Sequence, residues 1–305
     1  MRKVLVGAML VLVACWTVAT AATFTDTDTA KYHGKTGLKK LTAVIDANFA
    51  NVESGASTSV PWYDVPMPEV PGTHYTYMED FFSAGYIANA ADTNTAGLTI
   101  LKGGKFSEAA DQAAWLVSVT DGDSDEGETI KVADDVAGGE LQITCNDKAD
   151  DAVQCQLNGE AFAVTATKDL WYETKIKIED VSEDTVFVGL TPADTDPLGS
   201  LGNDFIGFYV DQSTNMTFQM AKNGAIVTNT PTVVIADDTA VTLGFYADGS
   251  TGNVYVYANG ALVKTYTSTT NLPNDEVLSP QMAILTTDTG GDALKVDYLK
   301  IIAER

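Results

Sequence analysis

The residues of this chain that could do chemistry are mainly carboxylates, and one group has the spacing of cation ligands. Asp121, Asp123 and Asp125 occupy alternate positions in the run Asp-Gly-Asp-Ser-Asp-Glu-Gly. Carboxylates in such a turn can converge on Ca²⁺. An EF-hand loop would require a glycine and a glutamate where this chain has Glu126 and Val132. We therefore expect either a surface calcium site that stabilises the turn or a solvated acidic turn, and no other cofactor.

The chain lacks the residue combinations that nucleophilic or nucleotide chemistry requires. His33 and His74 are its two histidines, and no serine or cysteine has an identifiable histidine and acid partner. No glycine-rich loop leads into a helix, so no phosphate-binding loop is predicted. Glu173 lies beside Trp171, but it belongs to a strict alternation that places it on a solvent face. These observations predict a protein that is not an enzyme.

The charge of the chain excludes one class of partner. Its 18 basic and 42 acidic residues give a formal net charge of −24 over 305 residues. A field of that sign repels phosphate backbones, so nucleic-acid binding is not expected. Cations, basic surfaces and neutral glycans are the favoured partners, and the alternative is that the charge serves solubility alone.

The N-terminus has the features of an export signal over residues 1–22. Arg2 and Lys3 precede an apolar stretch from residue 4 to residue 18, and Ala21 ends a small-residue cleavage motif. The stretch is too short for a comfortable transmembrane span. Residues 12–15 also resemble a bacterial lipobox, which would make Cys15 a lipidated N-terminus. We favour simple cleavage, which places the protein outside the cell or on its surface.

Two cysteines remain after processing by either route. Cys145 and Cys155 lie in two strand-like runs joined by a short acidic connection. A hairpin would bring them face to face, and an oxidising compartment would let them form a disulfide. The alternative is a pair of reduced, buried thiols. No Cys-x-x-Cys motif or Cys/His cluster exists, so a zinc site is not predicted.

Residues 23–58 are predicted to contain a polar arm and one amphipathic helix. Apolar residues between positions 37 and 53 recur at intervals of three and four, which is one stripe of a helix. The stripe consists of Leu38, Leu41, Ile45, Phe49 and Val52. A single helix of this length is marginal in water, so the stripe must be covered by the rest of the chain, by a partner or by copies of itself. We expect it to mediate assembly into a homo-oligomer.

A proline-rich linker over residues 59–74 separates this helix from a β domain over residues 75–305. Short alternating segments, closed by Asn-Gly and Asp-Gly turns, predict antiparallel strands without intervening helices. The predicted strands are 114–119, 128–133, 139–146, 151–157, 160–166, 169–179, 184–190, 204–211, 215–221, 224–228, 231–236, 239–247, 251–258, 261–267, 277–287 and 293–303. So many strands imply two packed sheets.

Two tyrosines on one predicted strand are candidates for a contact surface. Tyr255 and Tyr257 face the side opposite Val254 and Val256. Exposed tyrosines at alternate positions suit glycan stacking or a protein interface. The alternative is that both sides of this strand are buried.

The order of these strands resembles the concanavalin-A-like, or laminin-G-like, jelly-roll domains. The resemblance rests on Gly138–Thr144, Asp169–Asp180, Asp184–Leu190, Asp204–Val210, Val241–Gly249, Asn253–Val263 and Leu294–Ile302. It covers roughly residues 37–54 and 75–305. Within that superfamily, the chain is most similar to sandwich domains of tailed-phage virion proteins, in which a short helix precedes the sandwich.

The resemblance implies an all-β fold, a large antiparallel two-sheet jelly-roll sandwich preceded by a short N-terminal α-helix. The same superfamily includes glycoside hydrolases of the laminarinase type. Their Glu-x-Asp-x-x-Glu pattern is absent from this sequence. We expect a non-enzymatic structural module that decorates a capsid or associates with a tail and multimerises. The alternative is a secreted or surface-attached bacterial glycan-binding module. A virion location would apply if the chain is phage-encoded.

Overall fold

The computed structural model describes residues 74–81, 99–101, 115–120, 128–133, 139–146, 151–193, 198, 201–228, 233–267, 270–287 and 291–305. The chain divides into two compact units, Met1–Ala56 and Ser57–Arg305, and every described residue lies in the second. The export signal, the helix stripe from Leu38 to Val52 and the acidic turn of Asp121, Asp123 and Asp125 lie outside the described residues.

The described residues form strands and no helix, and the strands make two antiparallel sheets. In chain order the strands are β1 (His74–Glu79), β2 (Thr99–Leu101), β3 (Trp115–Thr120), β4 (Thr129–Val132), β5 (Leu141–Thr144), β6 (Ala152–Leu157), β7 (Leu170–Ile178), β8 (Asp184–Thr191), β9 (Phe205–Asp211), β10 (Asn215–Lys222), β11 (Ala225–Thr228), β12 (Val233–Val234), β13 (Val241–Asp248), β14 (Asn253–Ala258), β15 (Ala261–Tyr266), β16 (Ser279–Thr286) and β17 (Ala293–Glu304).

Sheet A has eight of these strands, in the order β15-β14-β13-β7-β17-β5-β4, and β1 also pairs with β17. Sheet B has nine, in the order β11-β10-β9-β8-β16-β6-β3-β2, and β12 pairs with β10. The prediction of a two-sheet antiparallel β-sandwich is therefore confirmed.

The core lies between the two sheets and is built by alternation along each strand. In β7, Tyr172 and Ile176 are buried in the core, while Glu173 on the opposite face is partly exposed. The Tyr172 ring stacks on Phe245 of β13, with ring centroids 5.0 Å apart. The centroid of Phe245 lies 5.4 Å from that of Phe218 in sheet B. Burial of each such side chain contributes roughly 1.5–3 kcal/mol, so these rings tie the two sheets together.

The predicted Asn-Gly turns form as expected. Asn223 and Gly224 have φ values of 52° and 78°, and Asn259 and Gly260 have φ values of 48° and 76°. Positive φ at both positions is the requirement of a type I′ hairpin turn, which asparagine and glycine tolerate best. These two turns fix the register of β10 with β11 and of β14 with β15.

The central strands of sheet B are buried on both faces. Every residue of β8 is buried. On the outer face of sheet B, Leu198 and Leu201 pack against a cluster that contains Phe187 of β8 and Phe205 of β9. Beside them, the outer face carries buried polar side chains that bond to one another, namely Gln154, Gln156, Thr191 and Gln281. A ligand has access to the outer face of sheet A more readily than to this covered face.

One predicted strand does not form. Residues 160–166 make only isolated bridges, from Phe162 to Leu278 and from Thr165 to Lys168. Thr165 and Lys168 bond to each other across a tight turn, so their backbone groups are not available to a neighbouring strand. Phe162 and Val164 are nevertheless buried in the core, which explains the apolar alternation in the sequence.

The predicted disulfide between Cys145 and Cys155 does not form in the structure. β5 pairs with β4 and β17 in sheet A, whereas β6 pairs with β3 and β16 in sheet B, so the two segments do not form a hairpin. Both thiols are free and buried, and the Cys145 Sγ–H donates to the carbonyl of Ile284 at 3.5 Å. Burial raises the pKa of both thiols, so neither is a ready nucleophile.

We expect both thiols to resist alkylation in the folded protein at pH 8, because burial and a raised pKa remove the reactive thiolate. Iodoacetamide should modify Cys145 and Cys155 only after denaturation, without any reductant, as measured by peptide mass spectrometry. Ser182→Cys, at an exposed position, serves as the reactive control. Recovery of a linked Cys145–Cys155 peptide would contradict the arrangement of free thiols.

Candidate functional site

The register of three neighbouring strands collects aromatic side chains on the outer face of sheet A. Trp171 of β7 lies opposite Tyr246 of β13, and Tyr246 lies opposite Tyr255 of β14. Each residue is flanked along its strand by core residues, so all three side chains point away from the core. We call Trp171, Tyr246 and Tyr255 the aromatic row.

The rings of the aromatic row are nearly parallel. Trp171 and Tyr246 have centroids 5.0 Å apart with an interplanar angle of 11°, and Tyr246 and Tyr255 have centroids 5.5 Å apart with the same angle. Stacking of this kind adds about 0.5–1.5 kcal/mol per pair beyond area burial. Trp171 is buried at the inner end of the row, whereas Tyr246 and Tyr255 are partly exposed.

A second row of the same face lies one pleat away from the aromatic row. Tyr257 of β14 is opposite Gly244 of β13, and Gly244 is opposite Glu173 of β7. Gly244 contributes no side chain, so the face is lower between Tyr257 and Glu173. Tyr298 of β17 donates its hydroxyl to Glu173 Oε1 at 2.8 Å, which holds that carboxylate in place.

Titratable side chains gather at the Trp171 end of the aromatic row. The Tyr246 hydroxyl donates to Asp169 Oδ2 at 2.7 Å, and the backbone N–H of Gly249 donates to Asp169 Oδ1 at 2.9 Å. The Asp169 backbone N–H donates to Glu304 Oε2 at 3.0 Å, and His74 Nε2 lies 3.4 Å from Glu304 Oε1. We call Asp169, Glu304 and His74 the polar end of the row.

Burial is the largest influence on the pKa of Asp169 and on that of Tyr246. Partial burial raises the pKa of Asp169, and the nearby Glu304 carboxylate acts in the same direction. The hydrogen bonds from Tyr246 and Gly249 lower it, because they favour the charged carboxylate. The pKa of Tyr246 is raised well above its ordinary value by burial first and by Asp169 second, so its hydroxyl stays a donor.

The two tyrosines predicted from the sequence, Tyr255 and Tyr257, lie on this face, and both are partly exposed. Sequence reasoning did not find Tyr246, Asp169 or Glu304 as site residues. Tyr246 follows the buried Phe245 on its strand, so the alternation of β13 places its side chain on the outer face. That alternation could have identified Tyr246 from the sequence. The pairing register that brings these residues together is not encoded in any short segment.

Two further findings concern metals and membranes. Within the described ranges, no three or more His, Cys, Asp and Glu side chains are grouped so as to hold a metal ion. The same residues include no helix with the length and apolarity needed to cross a bilayer.

Comparison with known proteins gives similarity at the level of solved structures. No family model and no curated protein matches the chain. A protein of unknown function from Shewanella oneidensis MR-1 is 14% identical with a TM-score of 0.45, over 76% of this chain and 87% of its own. An endo-1,3-β-glucanase from Streptomyces sioyaensis is 15% identical with a TM-score of 0.45, over 78% and 99%. An endo-β-1,4-glucuronan lyase from the fungus Trichoderma reesei is 11% identical with a TM-score of 0.44, over 57% and 86%.

These comparisons correct the expectation that the protein is not an enzyme. Glycan-degrading enzymes are among the chains of similar structure, alongside a carbohydrate recognition domain and a bacteriophage carbohydrate esterase. The absence of the laminarinase pattern from this sequence does not exclude catalysis, because a sandwich can carry other catalytic arrangements.

We expect Tyr246→Phe to raise the pKa of Asp169 further, because the substitution removes a hydrogen bond that favours the ionised carboxylate. A group whose pKa is raised by folding stabilises the fold below its unfolded pKa, and that stabilisation is lost as pH rises through the folded pKa. The loss should therefore move to higher pH in the variant. Carboxyl ¹³C NMR titration measures the pKa directly, and Tyr255→Phe is the matched control. An unchanged or lowered pKa would show that this hydrogen bond is not made in solution.

Proposed function

We propose that the protein binds neutral glycans on the outer face of sheet A, along the aromatic row. The observation that carries this proposal is the parallel arrangement of Trp171, Tyr246 and Tyr255 next to fixed carboxylates. Sugars combine an apolar C–H face with hydroxyl groups that donate and accept hydrogen bonds. A surface that binds them needs aromatic rings and anchored polar groups side by side.

Tyr255 is the residue of the row best placed to contact a sugar ring. One of its faces is occupied by Tyr246 at 5.5 Å. On its other side, the neighbouring strand β15 places Thr265, which is small and exposed. The outer face of the Tyr255 ring is therefore available for stacking, and Tyr257 lies two residues along the same strand.

Charge restricts the class of glycan. The chain carries a net charge of −24, and the face itself holds Glu173, Asp169 and Glu304. Sulfated or uronic-acid polymers would meet repulsion from the protein as a whole, whereas uncharged chains would not. Carboxylates that are fixed by hydrogen bonds can accept from sugar hydroxyls with little loss of side-chain freedom.

We expect the full chain to be retarded in affinity electrophoresis by one or more neutral polysaccharides, such as β-glucans, agarose or chitin, and not by alginate. Tyr255→Ala should weaken binding about tenfold or more, because it removes the exposed stacking ring. Tyr209→Ala is the matched control, since Tyr209 is a partly buried tyrosine on the outer face of sheet B. Equal loss in both variants, or no retardation by any neutral glycan, would reject the proposal.

Glycan hydrolysis is a second candidate function, and the pair Asp169 and Glu304 favours it. The Glu304 carboxylate accepts from the Asp169 backbone N–H at 3.0 Å, and the pKa of Asp169 is raised by burial first and also by Glu304. In glycoside hydrolases, a carboxyl with a raised pKa acts as the general acid beside a second carboxylate. Their position at the end of the aromatic row would bring them beside a glycan bound along it.

For this second function, we expect the wild-type chain to release reducing ends from a neutral glycan that it binds. Asp169→Asn and Glu304→Gln should each abolish the release while leaving electrophoretic retardation in place. Asp297→Asn is the control, because Asp297 pairs with Lys175 away from the polar end on the same face. Retardation without release by the wild type would leave a binding protein and eliminate the hydrolase.

The setting of this binding surface remains a hypothesis from the sequence. We propose that the chain multimerises through the predicted helix stripe of Leu38 to Val52 and is displayed on a virion or a cell surface. The predicted apolar stripe supports multimerisation, and the predicted export signal supports display on a cell surface. Display in several copies would multiply a weak affinity, because linked sites engage one glycan polymer together.

A further inference from the structure

Carboxylates replace the apolar core at one end of the sandwich. In sheet B, Asp184 of β8 is in register with Thr286 of β16, and the Thr286 N–H donates to the carbonyl of Asp151, just before β6. In sheet A, the Cys145 N–H donates to the carbonyl of Asp292, just before β17. Glu128 immediately precedes β4. Thr129 of β4 pairs with Thr144, the residue before Cys145.

Strand alternation directs these side chains inward. Asp184 lies two residues before the core residue Val186, and Asp292 lies two residues before the core residue Leu294. Asp151 and Glu128 have the same relation to Val153 and Ile130. We call Glu128, Asp151, Asp184 and Asp292 the carboxylate layer.

The layer is buried. The exposed fractions of Asp184 and Asp151 are 0%, that of Glu128 is 1% and that of Asp292 is 8%. In the described part of the chain, neither carboxylate oxygen of Asp184 has a hydrogen-bond partner. An ionised carboxylate in such a place is costly unless a positive charge compensates it.

The pKa values of two groups in this region are raised by neighbouring negative charges as well as by burial. The pKa of Asp184 is raised to about 8, by burial first and by Asp292 second, with further contributions from Asp180 and Glu179. The pKa of Cys145 is raised by burial first, and the negative charges of Asp184, Asp151 and Glu128 act in the same direction. The charged groups with the largest effects on these two pKa values are acidic.

We propose that the carboxylate layer binds one hard divalent cation, Ca²⁺, with Asp184 and Asp292 as the acidic ligands. Thr286 links the two, because it pairs with Asp184 and its hydroxyl donates to Asp292 Oδ2 at 3.4 Å. Ca²⁺ takes six to eight oxygens and accepts backbone carbonyls and water beside carboxylates. Because no three acidic side chains of the described ranges are grouped closely enough to hold an ion, backbone carbonyls and water would supply the remaining oxygens. Asp151 and Glu128 would supply additional negative potential around the ion.

The test measures thermal unfolding of the full chain at pH 8 by scanning calorimetry, after EDTA treatment and with Ca²⁺ added back. Binding to the folded state alone should raise the melting temperature by about 5–10 °C at a hundredfold excess of Ca²⁺ over its Kd. Isothermal titration should give one ion per chain.

Asp184→Asn tests whether Ca²⁺ binds at the carboxylate layer or elsewhere on the chain. The variant keeps the side-chain shape and removes a buried charge, so in EDTA it should melt at or above the wild-type temperature, and Ca²⁺ should no longer shift it. Glu276→Gln, an exposed acid at the other end of β16, should retain the full shift. No shift in the wild type, or a shift that persists in Asp184→Asn, would overturn the proposal.

Discussion

The pairing of β7 with β13 on one side and β17 on the other determines both faces of sheet A. On the inner face, this register brings Tyr172 against Phe245 and so builds the contact with sheet B. On the outer face, the same register brings Trp171 against Tyr246. A shift by one residue would exchange the two faces, exposing the core residues and burying Glu173 and Lys175. The core and the candidate glycan surface therefore depend on a single set of backbone hydrogen bonds.

Acidic residues serve three different roles in this protein. Most contribute to a surface charge that keeps polyanions away. Asp169, Glu173 and Glu304 are fixed on the outer face of sheet A by hydrogen bonds, which suits them to accept from a ligand. Asp184 and its neighbours lie inside the sandwich, where the charged groups with the largest effects on the pKa of Asp184 are acidic. The physical difference is solvation, because water stabilises a surface carboxylate and cannot reach a buried one.

The outer faces of the two sheets differ in exposure. Sheet B is covered on its outer side by Leu198 and Leu201 and by a network of bonded polar side chains, so it acts as the interior of the molecule. The outer face of sheet A buries Trp171 and Ile302 at one end, and elsewhere it presents partly exposed tyrosines and carboxylates. This asymmetry explains why the partly exposed aromatic side chains of β13 and β14 are candidates for binding, whereas Phe187 and Phe205 in sheet B are not.

The sequence by itself determined the fold class, most strand positions and the two Asn-Gly turns, because period-two alternation and positive φ are local properties. It also determined that Tyr255 and Tyr257 share a face. The tertiary structure decided which strands pair. Pairing separated Cys145 from Cys155 into different sheets, brought Asp169 beside Glu304 from 135 residues away, and gathered four carboxylates at one end of the core. Long-range register depends on the packing of all the strands at once, and no short segment of the chain contains that information.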